Sequence, residues 1–260
     1  MSRNLYGLMI KYPEPGKVKT RLAKEIGNSR AAEIYRQLAE QILKQTDLVS
    51  FSHHPVHCPT LKKGGWGDLI ENSRNREISP TPSLPKRGTS ENCSRDETTP
   101  AAYNRIVLYD PPERLHDFKQ WLPGNHLILQ QGNDIGERMD NAIRELLALG
   151  AEKAVLTGAD IPALNSAIIS GAFAALDHAD IVIGPAADGG YYLIGMKEPH
   201  PEIFSNIPWS TKRVYETTAS RIRQLQLSVD HTVMLSDIDR VEDLKNLFGS
   251  HSAGEHCSKN

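Results

Sequence analysis

Short apolar runs alternate with segments of helical periodicity along most of this chain of 260 residues. The runs have the length of β-strands and end at turn-forming residues, whereas the helical segments space apolar residues three and four positions apart. The pattern predicts strands at 5–11, 105–110, 126–131, 153–160, 180–184, 191–196 and 232–235, and helices at 29–48, 112–122, 135–149, 166–177, 211–226 and 241–248. Asn28 and Asn165 are expected to cap the helices that follow them. This alternation predicts an α/β fold with three layers around a mostly parallel mixed sheet, in which the short link 185–190 joins antiparallel strands.

Residues 51–103 interrupt this alternation. Only 13 of these 53 residues are hydrophobic, and Ser, Thr, Pro, Gly and Asn together supply 24. Such a segment cannot bury enough apolar surface to offset the entropy lost on ordering. We therefore expect one domain over residues 1–250, interrupted by a disordered insertion at 51–103 and followed by a flexible tail at 251–260.

The charge balance excludes some classes of protein. Thirty basic residues face 32 acidic ones, for a net charge of −2, whereas a general nucleic-acid-binding protein carries a basic excess. No apolar run approaches the roughly 18 residues that span a membrane, and the first run is too short for a signal peptide. Three well-separated cysteines do not suggest a disulfide framework. We expect a cytoplasmic protein that binds neither nucleic acid nor a membrane.

The loop that follows the first predicted strand, residues 11–21, carries four basic residues and one acid, Glu14. The basic residues are Lys11, Lys17, Lys19 and Arg21. Gly16 and two prolines shape the turn, and a helix N-terminus is expected to follow and supply backbone donors. Ligands of open α/β sheets bind at the carboxyl ends of the strands. The loop is therefore predicted to bind phosphate groups, although it is no Walker A sequence; the alternative is a solvated basic turn.

Acidic residues follow two other predicted strands. Asp160 ends a strand, where a carboxylate suits Mg²⁺ or Mn²⁺ that also bridges substrate phosphates; the alternative is a helix-capping role. Asp237 and Asp239 lie on the same side if the last strand continues, and they could complete the metal shell. The alternative for Asp239 is to cap the last helix.

The segment 184–192 contains Asp188 beside two glycines. Asp188 could hold a sugar hydroxyl, an attacking hydroxyl or a metal, and Gly189 and Gly190 would let backbone approach a ligand closely. The alternative is an ordinary turn between strands. Three further candidates are Tyr191 and Trp209 for substrate contact and Arg138, in a first helical turn, for a phosphate.

Six segments, in one order, resemble the GT-A superfamily of nucleotide-diphospho-sugar transferases. They are KYPEPGKVKTRLA (11–23), QQGNDIGERMDNA (130–142), LTGADIPAL (156–164), GPAADGGYYLIGM (184–196), WSTKRVYETT (209–218) and SDIDRVEDL (236–244). Within it, the chain resembles a small bacterial family named radical-SAM/selenodomain-associated transferase or arsenosugar-biosynthesis-type glycosyltransferase. The resemblance covers residues 3–50 and 104–248.

This resemblance implies a Rossmann-like GT-A sheet, a nucleotide bound by the first loop and a divalent metal. By analogy the residues have these roles: Lys11, Lys19 and Arg21 contact phosphates, Asp160 and either Asp237 or Asp239 bind the metal, and Asp188 lies by the acceptor or sugar. Asp160 and Asp188 are the implied catalytic residues.

Three functions are compatible with these features. The first is a metal-dependent glycosyltransferase that moves a sugar from a nucleotide-sugar donor to a small-molecule acceptor. The second is a guanylyl- or cytidylyltransferase-like nucleotidyltransferase acting on a small phosphorylated acceptor. It is favoured by the sequence Gly158-Ala159-Asp160, which keeps one acid where GT-A enzymes often show D-x-D. The third is a non-catalytic nucleotide-binding protein.

Overall fold

The structure, a computed structural model, describes residues 3–47 and 102–249, with side chains up to residue 245. Seven strands lie in these ranges: β1 (Asn4–Lys11), β2 (Asn104–Asp110), β3 (Leu127–Leu129), β4 (Lys153–Gly158), β5 (Ile181–Pro185), β6 (Tyr191–Met196) and β7 (Val229–His231). Seven α-helices accompany them: α1 (Thr20–Ile26), α2 (Asn28–Gln45), α3 (Leu115–Trp121), α4 (Ile135–Ala148), α5 (Ser166–Ala175), α6 (Val214–Gln224) and α7 (Val241–Gly249). Short 3₁₀ turns cover Pro112–Arg114 and Pro201–Phe204.

The strands form one mixed sheet in the order β3-β2-β1-β4-β6-β5-β7. All neighbouring strands are parallel except β6, which runs antiparallel to β4 and to β5. The short link between β5 and β6 permits this reversal, as its length predicts. The α/β prediction is confirmed, including the antiparallel pair.

Apolar side chains cover both faces of the sheet and make three layers. Along β1, Tyr6, Leu8 and Ile10 face one side, where they pack with residues of α2, α3 and α5. Leu5 and Met9 face the other side, where the packed residues come from α4 and α6. Because strand side chains alternate between faces, one strand serves both cores. Packing on both faces holds the sheet in place, and with it the loops that follow the parallel strands.

The structure differs from the sequence prediction most clearly at the first two helices and at the last strand. The first helix after β1 is the short α1, and Gly27, with φ of 86°, caps α2, so Asn28 begins the helix rather than capping it. The last strand is Val229–His231 rather than 232–235, where only Leu235 makes a bridge, to Ala186. Asn165 caps α5 as expected, through its side-chain oxygen and the backbone N–H of Ile168.

The predicted insertion lies outside the described residues except at its end. Tyr103 is buried, and its hydroxyl donates to the carbonyl oxygen of Thr46, the residue that ends α2. Arg105 donates to the carbonyl of Leu43 in the last turn of the same helix. The chain therefore rejoins the core at Tyr103, just before β2 begins. Within the described ranges, no helix combines the length and apolar character that crossing a bilayer requires.

Candidate functional site

Three loops meet where β1 and β4 end. The loop 11–21 follows β1, the segment beginning at Ala159 follows β4, and the segment 236–240 precedes α7. Since β1 and β4 are parallel neighbours, their carboxyl ends lie side by side. The third segment is tied to them because the backbone N–H of Ile238 donates to the carbonyl oxygen of Asp160 at 3.3 Å. The predicted phosphate loop and predicted metal ligands are thus brought together.

Lys19 is the buried cation of this cluster. Its Nζ lies 2.9 Å from Oδ2 of Asp160, and its side chain is only 6% exposed. Burial disfavours the charged ammonium, but the carboxylates of Asp160, Asp237 and Asp239 outweigh it and raise the pKa of Lys19. Lys19 therefore stays protonated and neutralises the acids around it.

Arg21 makes the second ion pair, across the cluster. Its Nη1 lies 2.6 Å from Oδ2 of Asp239. Asp239 does not act as the helix cap considered from the sequence, because it is Asp243 that accepts from the backbone N–H groups of Asp239 and Arg240. The side chain of Asp239 is left to face the first loop.

Asp237 is the acid of the site whose pKa departs from its ordinary value. Burial raises its pKa to about 6, Lys19 opposes the rise, and the nearby carboxylates of Asp160, Asp188 and Asp239 add to it. Because burial is the largest cause of this rise, the attraction of Lys19 does not fully offset the loss of hydration of the Asp237 carboxylate.

The carboxylates of the cluster have the chemistry that a divalent metal requires, but they do not form a complete set of metal ligands. Among the described residues, no three His, Cys, Asp or Glu side chains converge closely enough to hold a metal ion. Asp160 and Asp239 are instead paired with Lys19 and Arg21. Carboxylate oxygens nevertheless suit Mg²⁺ or Mn²⁺, which commonly keeps waters and substrate phosphates as ligands. Asp160 and Asp237 fit as part of such a shell.

Asp188 lies at the edge of the cluster, in the turn between β5 and β6. It is exposed, and its Oδ1 accepts from the backbone N–H of Gly190 at 2.8 Å. It is close enough to Arg21 and Asp237 to influence the pKa of each. The turn is therefore ordered, as the alternative interpretation expected, and it presents a carboxylate beside the acids.

Gly189 has a structural reason to be glycine. Its φ is +91°, and a Cβ atom there would lie 2.4 Å from the carbonyl oxygen of Lys212. Its own carbonyl accepts from the backbone N–H of Tyr215. The close backbone approach predicted for this residue is thus made to the 210–213 loop of the chain itself.

Two aromatic candidates pack against the protein rather than lining the cluster. The Tyr191 hydroxyl is buried, and the ring meets Trp209 edge-on, with centroids 6.4 Å apart. Trp209 in turn packs on Gly136 at the start of α4, where a Cβ would lie 2.6 Å from the indole. The Tyr191 hydroxyl is therefore inaccessible to a substrate, and the predicted contact by this residue stays a prediction for its partly exposed ring.

Three further candidates lie outside the two ion pairs. Arg138 pairs with Asp110, with Nη1 and Oδ2 3.0 Å apart, and donates from Nε to the carbonyl of Gly132. Asp110 is the register partner of Lys11, so this pair lies beside the start of the first loop. The Lys11 side chain is exposed, while its backbone N–H donates to the Tyr35 hydroxyl. Gly16, with φ of +81°, makes the left-handed turn of the first loop.

Sequence reasoning missed residues at the ends of β2 and β3. Asp110 ends β2 as Asp160 follows β4, so the same positional rule could have found it. Gln130 is buried and donates to the carbonyls of Ile10 and Leu108 at 3.3 and 2.6 Å. No sequence signal distinguishes that glutamine from its neighbour Gln131.

Comparisons with known proteins agree with the fold. The profile of a bacterial protein family described as uncharacterised, DUF2064, matches residues 97–211. A protein from Desulfovibrio desulfuricans G20, assigned as a nucleotide-diphospho-sugar transferase, has a crystal structure that is 29% identical, with a TM-score of 0.71, over 98% of this chain and 90% of that one. No curated protein sequence matches significantly.

A more distant likeness is to CMP:2-keto-3-deoxy-manno-octonic acid synthetase in complex with CTP. The sequence of that synthetase is 8% identical to this chain, and the two structures superpose with a TM-score of 0.47 over 96% of this chain and 99% of that one. This second likeness is too remote to bear on function. The family match, the Desulfovibrio structure and the sheet topology together support a place in the GT-A-like superfamily.

Proposed function

We propose that this protein is a metal-dependent glycosyltransferase that uses a nucleotide-sugar donor and a small-molecule acceptor. The observation that carries the proposal is the joining of Lys19 and Arg21, from a loop after β1, to Asp160 and Asp239, from two other loops. Similarity to the Desulfovibrio protein, with its assigned transfer of nucleotide-linked sugars, supports the same chemistry. The narrower family, that of radical-SAM-associated or arsenosugar-type transferases, is our preferred placement.

In this proposal each charged residue has a separate task. Lys19 and Arg21 bind the diphosphate and stabilise the negative charge that develops as the sugar–phosphate bond breaks. Asp160 and Asp237, with Asp239 nearby, would hold Mg²⁺ or Mn²⁺, which when bound neutralises charge on the leaving diphosphate. Asp188 accepts a hydrogen bond from the acceptor hydroxyl and orients it. The exposed position of Asp188 leaves room for that second substrate.

The second candidate, a nucleotidyltransferase, is favoured by one observation. The segment after β4 offers one acid, Asp160, and a further acid comes from the distant residue 237 rather than from a D-x-D pair. In that reaction the first loop would hold a nucleoside triphosphate, and pyrophosphate would leave.

Product analysis separates the two reactions. The protein is incubated with a panel of nucleoside triphosphates and nucleotide sugars, with Mg²⁺ or Mn²⁺ and with a chelator as control. Free nucleoside diphosphate from a sugar donor supports the glycosyltransferase, and pyrophosphate from a triphosphate supports the alternative. Calorimetric binding of nucleotide without turnover across an acceptor panel would favour a non-catalytic binding protein. No binding of any nucleotide would refute all three.

A further inference from the structure

The first loop is anchored to the start of α3 through Tyr12. The backbone N–H of Tyr12 donates to the carbonyl of Asp110 at 2.7 Å. Its ring meets Phe118 and Trp121 edge-on, with centroids 5.6 and 6.2 Å apart. The residue that follows β1 is thus fixed by the end of β2 and by the helix α3 that follows it.

Arg114 completes this anchor. Its guanidinium carbon lies 5.0 Å from the centroid of the Tyr12 ring, within the range of a cation–π interaction. Nη2 lies 3.3 Å from Oε2 of Glu14, and Nη1 lies 2.9 Å from Oδ2 of Asp117. One planar side chain therefore touches two residues of the first loop while it is held by α3.

The ion pair with Arg114 matters because Glu14 carries a negative charge within the basic first loop. Glu14 is the only acid among residues 11–21, and its carbonyl accepts from the backbone N–H of Lys17, which closes the turn. A free carboxylate at that turn would repel an approaching phosphate. Because Arg114 pairs with Glu14, this carboxylate does not weaken the attraction of the basic residues of the loop for a phosphate.

We propose that Arg114 is a positioning residue for phosphate binding by the first loop, acting by holding Tyr12 and by neutralising Glu14. This proposal rests on the proposed function, since it assumes that the loop binds the diphosphate. Arg114 does not itself touch the ligand.

The test compares Arg114→Ala with Arg144→Ala. Arg144 is a control because it also pairs with an acid of its own helix, with Nε 2.9 Å from Oδ2 of Asp140, and is partly exposed, but it lies on α4, which packs on the other face of the sheet from α3. The probe is inorganic pyrophosphate with Mg²⁺, measured by calorimetry, which needs no knowledge of the base or sugar. Melting temperature is recorded for each variant.

Loss of the ion pair and ring contact should weaken pyrophosphate binding about fivefold to tenfold in Arg114→Ala. Arg144→Ala should bind like the wild type with a similar change in melting temperature. Arg114→Lys should recover only part of the affinity, because an ammonium lacks the planar fork that reaches Glu14 and Asp117 together.

A second substitution separates this role from simple structural support. Adding Glu14→Gln to Arg114→Ala removes the uncompensated carboxylate and should restore part of the lost affinity. Wild-type affinity in Arg114→Ala, or a loss that Glu14→Gln leaves unchanged, would overturn the proposal while leaving the proposed function intact. Absence of pyrophosphate binding by the wild type would instead refute the proposed function, and this inference with it.

Discussion

Replacing Asp237 by Asn should stabilise the ligand-free protein near neutral pH. Burial raises the pKa of this acid from 3.8 to about 6, against the effect of Lys19 and with the help of the neighbouring carboxylates. The folded protein therefore binds this proton more tightly than the unfolded chain does. The stabilising contribution of Asp237 is fully present below pH 3.8 and is lost as the pH rises through about 6.

The size of the effect follows from that shift. About two pKa units correspond to about 3 kcal/mol for a fully shielded group. Asp237 keeps partial contact with water, which screens the charge, so we expect a gain of about 1–1.5 kcal/mol for Asp237→Asn at about pH 8. At about pH 4.5 the two proteins should differ by less than half of that, because the wild-type acid is then mostly protonated when folded.

Urea denaturation followed by circular dichroism, at both pH values and without divalent metal, measures the two differences. Glu145→Gln is the control, since Glu145 is an exposed acid on α4, far along the chain from the cluster. If Asp237→Asn gains no stability at the higher pH, or gains equally at both, then the raised pKa inferred for Asp237 is wrong.

Four further substitutions or deletions test the site and the core. Asp160→Asn should abolish metal-dependent turnover and leave the circular dichroism spectrum unchanged; an active variant would remove the metal assignment. Lys19→Ala combined with Arg21→Ala should weaken calorimetric nucleotide binding by about tenfold or more, and equal affinity would contradict the phosphate role. Gly189→Ala should cost about 2 kcal/mol or more in urea denaturation, because its Cβ would collide with a carbonyl of the 210–213 loop in a left-handed backbone. Replacing residues 51–101 by a short linker should leave the melting temperature within a few degrees of the wild type, and a larger fall would show that the segment is structural.

The positional rule for α/β sheets predicted which charged segments meet, because it depends on topology rather than on side-chain detail. Lys19 and Asp160 follow strands that proved to be parallel neighbours, so their meeting required only the correct sheet type. The position of Asp239 could not be predicted from sheet type alone, because the last strand ends earlier than predicted. The segment 236–240 nevertheless reaches the residues that follow β4. The α/β class and the antiparallel turn needed only periodicity and loop length.

Side-chain partners could not be predicted in this way. Arg138 is predicted to bind a phosphate, and in the structure it pairs with Asp110, a pair that nothing in the spacing of 28 residues between them indicates. Trp209 was expected to contact substrate, and its packing on Gly136 depends on the absence of a Cβ atom at a helix start. Such pairings are decided by packing in three dimensions, which local patterns do not encode.

The backbone at Lys19 gives an independent reason to regard the cluster as functional. Its φ and ψ are 45° and 47°, a left-handed conformation that costs a non-glycine residue about 1–2 kcal/mol. Glycine would adopt it without that cost, and an exposed turn before a helix would tolerate glycine well. The chain instead carries a long cation here and buries its ammonium against Asp160, whose carboxylate, with those of Asp237 and Asp239, outweighs the cost of desolvation. Strained backbone of this kind clusters at functional sites, so the left-handed conformation of Lys19 favours the binding role that the proposed function gives to its ammonium.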